Sequence, residues 1–134
     1  MVVNPFLTFN GNCEEAINFY VQIFNGEINQ LTRFSETASN VPDNYKDKIM
    51  HISFRFEDNT ILAADSLPDK PRTFGNNFSL SVDVMQIMEM EKTFARLAEG
   101  GRITMPLQDT FWGSRFGMLT DKFGVNWMFH CDLN

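Results

Sequence analysis

The sequence predicts an α+β domain of two tandem βαβββ modules, because the order strand, helix and three strands can be read twice along its 134 residues. Two further observations support it. A shift of about 75 residues lays Leu7, Phe9, Phe19, Gly26 and Ile28 on Val82, Val84, Phe94, Gly101 and Ile103, as an internal repeat requires. The strand candidates also alternate between apolar and polar residues, which gives each sheet two different faces.

In the first module, Thr8 to Asn10 close a short strand, and Asn10, Gly11 and Asn12 turn the chain and cap a helix from about Cys13 to Asn25. Ala16, Phe19, Tyr20, Ile23 and Phe24 recur at helical spacing, so one helix face is buried. Asn25 and Gly26 supply a left-handed stop. Ile28, Leu31 and Phe34 mark a second strand, followed by a polar loop to about Lys48, in which Pro42, Asp43 and Asn44 indicate a mobile connection. From Ile49, one strand face carries Met50, Ile52, Phe54 and Phe56 and the other His51, Ser53 and Arg55. Glu57, Asp58 and Asn59 turn into a partner strand, Thr60 to Asp65.

Module one thus covers 1–67, a linker rich in Pro and charge covers 68–76, and module two covers 77–134. The second module reads as a strand from Asn77 to Val84, a helix from Gln86 to Glu99, a stop at Gly100 and Gly101, and strands near Arg102 to Leu107, Ser114 to Thr120 and Val125 to Cys131. Asp121, Lys122, Phe123 and Gly124 form the last hairpin turn. One helix and four strands bury too little apolar area alone, so two units are expected to share a sheet, with both helices on one side and a trough on the other.

Composition narrows the function classes. With 43% hydrophobic residues and 14 Phe, a core is assured; 11 Lys and Arg against 17 Asp and Glu give a net charge of −6, which repels nucleic acid. No apolar run approaches the ~20 residues that cross a bilayer, and the start lacks the form of a signal peptide, so a cytoplasmic protein with no membrane partner is expected. Cys13 and Cys131 form no CxxC pair and read as reduced; the helix dipole at Cys13 favours its thiolate, while a small residue near a cap is the plainer reading. GxGxxG, Walker, GxSxG and HExxH motifs are all missing, so dinucleotide, nucleotide, serine-hydrolase and zincin chemistry has no starting point.

The stretch from Phe9 to Tyr20, His51 followed by a strand, Asp65 at the end of the next, and Met105, Pro106 and Leu107 through Trp112 and Gly113 to the Asp121–Trp127 turn and strand resemble the PhnB-like branch of the vicinal oxygen chelate superfamily. That superfamily includes glyoxalase I, bleomycin-resistance and fosfomycin-resistance proteins and extradiol dioxygenases. The resemblance implies a curved mixed sheet with helices on its convex face, and a homodimer enclosing a small-molecule cavity. It also implies metal ligands on the first and last strands of each module. The aligned residues are Pro5 or Leu7, Asp65, Phe78 or Ser79, and Trp127 or Met128, of which only Asp65 ligates strongly, so no metal cofactor is expected. The alternative is a divalent metal ion in a rebuilt centre of His51, Asp65 and His130.

The expected ligand-binding residues are His51, Arg55, Asp65, Trp112 and Arg115. His51 and Arg55 share the polar strand face, while Trp112 and Arg115 offer an aromatic wall and a planar cation for a flat or anionic molecule. A seam plug is the competing reading of Trp112. His51 with Asp65 is the candidate catalytic acid-base pair. Trp127, Phe129, Phe54 and Phe56 read as core, Met85, Met88 and Met90 as adaptable packing, and Met105 and Met118 as facing the trough. The leading function is binding of a small, partly aromatic or anionic molecule. A small lyase, isomerase or dioxygenase, metal-assisted or using His51 and Asp65, is the rival, and a ligand-free structural protein the third reading.

Overall fold

The computed structural model describes residues 1–37 and 40–134, in two compact units, Met1–Thr73 and Phe74–Asn134. In the first unit, β1 (Phe6–Phe9) leads into α1 (Cys13–Phe24), then β2 (Glu27–Arg33), β3 (Ile49–Phe56) and β4 (Asn59–Asp65). The second unit repeats the order as β5 (Leu80–Asp83), α2 (Ile87–Ala98), β6 (Arg102–Asp109), β7 (Ser114–Thr120) and β8 (Asn126–Asp132). Each unit has its own four-stranded mixed sheet, ordered β1-β4-β3-β2 and β5-β8-β7-β6. The β1–β4 and β5–β8 pairs are parallel and the other neighbours antiparallel.

Each helix covers one face of its own sheet. Tyr20 stacks on Phe54 at 6.3 Å and Phe24 on Phe56 at 4.6 Å, so α1 lies on the Ile52, Phe54 and Phe56 side of β3. In the second unit Phe94 meets Phe129 edge-on at 5.4 Å, which sets α2 against the Trp127, Phe129 and Cys131 side of β8. Phe9, Ile17, Tyr20, Ile52 and Phe54 are wholly buried in one core and Met90, Leu97 and Phe129 in the other. Each such side chain contributes roughly 1.5–3 kcal/mol by leaving water. Met85 and Met88 are not packing residues; 90% and 83% exposed, they flank the start of α2 while Met90 alone turns inward.

The repeat is offset by one residue from the register expected. The helices begin at Cys13 and Ile87, 74 residues apart, and their buried Ala16, Tyr20 and Ile23 match Met90, Phe94 and Leu97. Tyr20, not Phe19, is therefore the partner of Phe94. After the helices the offset becomes 75, because the left-handed Asn25 (φ 54°) is the single residue between α1 and Gly26, whereas Glu99 and the left-handed Gly100 both stand between α2 and Gly101.

Other boundaries moved by two or three residues. β5 starts at Leu80 rather than Asn77, since the Asn126 amide holds the Gly75 and Phe78 carbonyls outside the ladder at 3.0 Å each. β6 runs on to Asp109 because Asp109 still pairs with Arg115. Phe34 ends the β2 run in a 3₁₀ turn (Phe34–Glu36). The loop beyond it, part of which (residues 38 and 39) lies outside the described residues, is tied down at Tyr45, whose ring meets Phe34 at 5.6 Å and whose hydroxyl donates to the Ser66 carbonyl. No helix among the described residues is long and apolar enough to cross a membrane.

Candidate functional site

Strand register decides which candidates share a face. In the first unit His51 pairs across β2 with Thr32, Ser53 with Gln30 and Leu62, and Leu62 with Phe6, so these residues look away from α1. The imidazole of His51 lies 6.1 Å from the Phe6 ring. Arg55 stands on the same face, exposed, opposite Glu27 and Thr60 at the far end of β3.

Asp65 is on the other face. Ala63 pairs with Ile52 on the α1 side, and Asp65, two residues on, points the same way. Its carboxylate is 4% exposed and accepts three backbone hydrogen bonds, from Gly11 and Cys13 to Oδ1 and from Ile49 to Oδ2, each 2.9 Å. It thereby does the capping expected of Asn12, which makes no side-chain cap bond. His51 and Asp65 are thus not an acid-base pair: the sheet lies between them. The rebuilt metal set of His51, Asp65 and His130 fails for the same reason, since two of its three members lie on opposite faces of one sheet.

Cys13 follows from this arrangement. Burial, then the Asp65 and Glu14 carboxylates, push its thiol well above the ordinary value, against the dipole effect expected at a helix start. Both cysteines are free and buried. Native protein at about pH 8 should therefore resist iodoacetamide at both thiols and label at both in urea, by mass spectrometry. Rapid native labelling of Cys13 would contradict the assignment.

A depression of about 640 Å³ beside the start of α1 is lined in part by Glu14, Glu15, Asn18, Arg33, Asp47 and Lys48. Its main feature is the two-pronged pair of Arg33 with Glu14, at 2.9 and 2.8 Å, which holds the Glu14 carboxyl below the usual range. This pair is internal wiring between α1 and the end of β2.

In the second unit the expected clamp comes apart. Trp112 is 63% exposed in the turn between β6 and β7, packed edge-on against Phe111 at 4.9 Å. Arg115 pairs with Cys131 on the α2 side and donates to Asp109 at 2.7 Å and to Glu91 of α2 at 2.8 Å. Its donors are engaged within the fold, and they hold the Asp109 carboxyl below the usual range.

The face away from α2 carries Met105, Met118 and His130, which the sequence singled out, together with Ser81, Asp83, Gln108 and Phe116, which it did not. Met105, Met118, Met128 and Ser81 form one row across β6, β7, β8 and β5, and Gln108, Phe116, His130 and Asp83 form the next. His130 Nδ1 lies 3.5 Å from Asp83 and Nε2 3.6 Å from Asp132. Period-two alternation in β7 and β8 was the signal available for Phe116 and His130. Asp83 needed the parallel β5–β8 register, which no local pattern shows.

Comparison with known proteins fits this architecture. The family model described as 3-demethylubiquinone-9 3-methyltransferase matches residues 2–129. The chain belongs to that family. Protein YjdN of Escherichia coli is 33% identical over 96% of this chain and 93% of its own. Among solved structures, PA1353 from Pseudomonas aeruginosa superposes with a TM-score of 0.89 at 39% identity, covering 98% of each chain. The PhnB protein from Bacillus cereus gives 0.84 at 32%, covering 98% of this chain and 99% of that one. A glyoxylase/bleomycin resistance protein/dioxygenase domain from Frankia shares the fold, with a TM-score of 0.71 at 13% identity over 98% of this chain and 91% of that one. The tandem-module fold of the vicinal oxygen chelate superfamily is therefore the fold of this chain.

The metal that this superfamily implies can be tested against the donors present. On the faces away from the helices, β1 and β4 offer Phe6, Thr8, Leu62 and Ala64, and β5 and β8 offer Ser81, Asp83, Met128, His130 and Asp132. Leu7, Asp65 and Trp127 face the helices, and Phe78 and Ser79 precede β5, so five of the aligned residues are not on these faces. The two carboxylates of this face meet different nitrogens of one imidazole, Asp83 at Nδ1 (3.5 Å) and Asp132 at Nε2 (3.6 Å), so the three groups do not converge on one point as the roughly three protein ligands of a catalytic divalent ion must. Among the described residues no group of three His, Cys, Asp or Glu side chains is arranged to hold a metal ion. The residues present do not fit the group.

Proposed function

We propose that this protein is a small-molecule-binding member of the superfamily that works without the metal centre. The observation that carries this reading is the fate of the aligned ligand positions: Leu7, Phe78, Ser79, Trp127 and Met128 supply no strong ligand, and the one carboxylate among them, Asp65, is engaged by three backbone amides on the helix side of its sheet. Phe116, Met118, Met128 and His130, on the face of the second unit away from α2, are the side chains that would meet the ligand. The acid-base enzyme loses its support with the separation of His51 from Asp65.

The test is a thermal-shift screen in EDTA with quinones, bleomycin and glutathione conjugates, run beside Mn, Fe, Ni and Zn ions added alone. A compound at a hundredfold excess over its Kd should raise Tm by roughly 5–10 °C without metal. Stabilisation that appears only after a metal ion is supplied would overturn the reading.

A further inference from the structure

The second unit's face away from α2 is specific enough to name a ligand class. Met105 stands opposite Met118, and Met118 opposite Met128, so three thioethers lie side by side on adjacent strands, each half-buried. Phe116 and His130 occupy the next row, directly beside Met118 and Met128. With strands ~4.8 Å apart and same-face residues ~7 Å apart along a strand, these two rows make a strip of roughly 10 by 7 Å. That is the footprint of two or three fused rings. Methionine is flexible and polarisable, and it favours contact with aromatic rings.

Charge is placed at one corner of the strip. Asp83 and Asp132 flank His130 from two sides, at 3.5 and 3.6 Å, and both carboxylates remain largely exposed. Arg102, on the edge strand β6 and paired with Thr120, sits diagonally opposite. Arg115, which had favoured an anionic ligand, is on the α2 side with its donors engaged. The whole chain carries a net charge of −6. A cation is therefore attracted to this corner and an anion repelled.

We propose that this strip holds a planar aromatic cation, with its rings flat on Met105, Met118, Met128 and Phe116 and its basic group directed toward Asp83 and Asp132. The proposal rests on the ligand-binding reading above and adds the charge and shape of the ligand. The probes are proflavine, a flat three-ring cation, and anthracene carboxylate, a flat three-ring anion, titrated by fluorescence at fixed salt. Proflavine should bind at least ~10-fold more tightly than the anion, and Asp83→Asn should narrow that ratio to near parity. Met118→Ala should weaken proflavine by ~10-fold, while Met88→Ala, on the exposed start of α2, should leave it unchanged. Met128→Ala is the second variant if Met118→Ala fails to fold. Equal or tighter binding of the anion, or unchanged proflavine affinity in a folded Met118→Ala or Met128→Ala protein, overturns the proposal. If neither flat probe binds but another compound of the thermal-shift screen does, the aromatic-cation proposal falls and the binding reading stands; if nothing binds, both fall.

Discussion

Asp65→Ala should destabilise the protein by roughly 3–5 kcal/mol, since it strips the acceptor from three backbone N–H groups, each of which costs about 1–3 kcal/mol when buried and unpaired. Two of those amides, from Cys13 and Ile49, are buried, and the third, from Gly11, is partly so. Cys13 begins α1, with Gly11 in the turn just before it, and Ile49 begins β3, so one side chain fixes where a helix and a strand start. The helix N-terminus also loses its facing negative charge. Asp65→Asn keeps one carbonyl oxygen and should lose about half as much. Urea unfolding would show a lower midpoint with an unchanged slope. A loss under about 1 kcal/mol would mean that Asp65 is not the structural acceptor described here.

Gly101→Ala should cost roughly 3 kcal/mol or more, because nothing around the new methyl can give way. Its Cβ would lie 2.3 Å from the Thr120 carbonyl oxygen and 2.9 Å from the Asp121 Cα. Asp121 is itself held rigidly, accepting from the Phe123 and Val125 amides and from the Trp127 indole. Gly113→Ala is the matching control: its φ is +87° but no atom lies within 4 Å of the added carbon. It should lose only about 1 kcal/mol, from left-handed backbone strain. Thermal unfolding of both variants separates close approach from strain, and equal losses would contradict the packing argument.

The pattern of residues carried the fold further than the site. The bounds of β7, Ser114 to Thr120, were legible because a glycine turn at Gly113 and the Asp121 turn mark its two ends. The face of His51 was legible too, since β3 sets Ile52 and Phe54 against His51 and Arg55. Asp65 was not, because Ile61, Leu62, Ala63 and Ala64 are apolar on both faces of β4 and conceal its parity. Its three partners, at Gly11, Cys13 and Ile49, are also 54, 52 and 16 residues away. Trp112 and Arg115 were close in sequence and so read as one cluster. A turn and one step of alternation separate them, sending Arg115 to the helix side and leaving Trp112 at the turn. Only the register across strands shows the methionine row, since Met105, Met118 and Met128 share no local motif.

The most direct test of ligand binding without metal is a methyl spectrum of protein labelled with ¹³C at the methionine ε carbons, recorded in EDTA before and after adding a compound that raises Tm. The methyl signals of Met105, Met118 and Met128 should shift together, while those of Met85 and Met88, exposed at the start of α2, stay in place. Shifts that appear only once Mn, Fe, Ni or Zn is supplied, or that spare all three sheet methionines, would contradict the account.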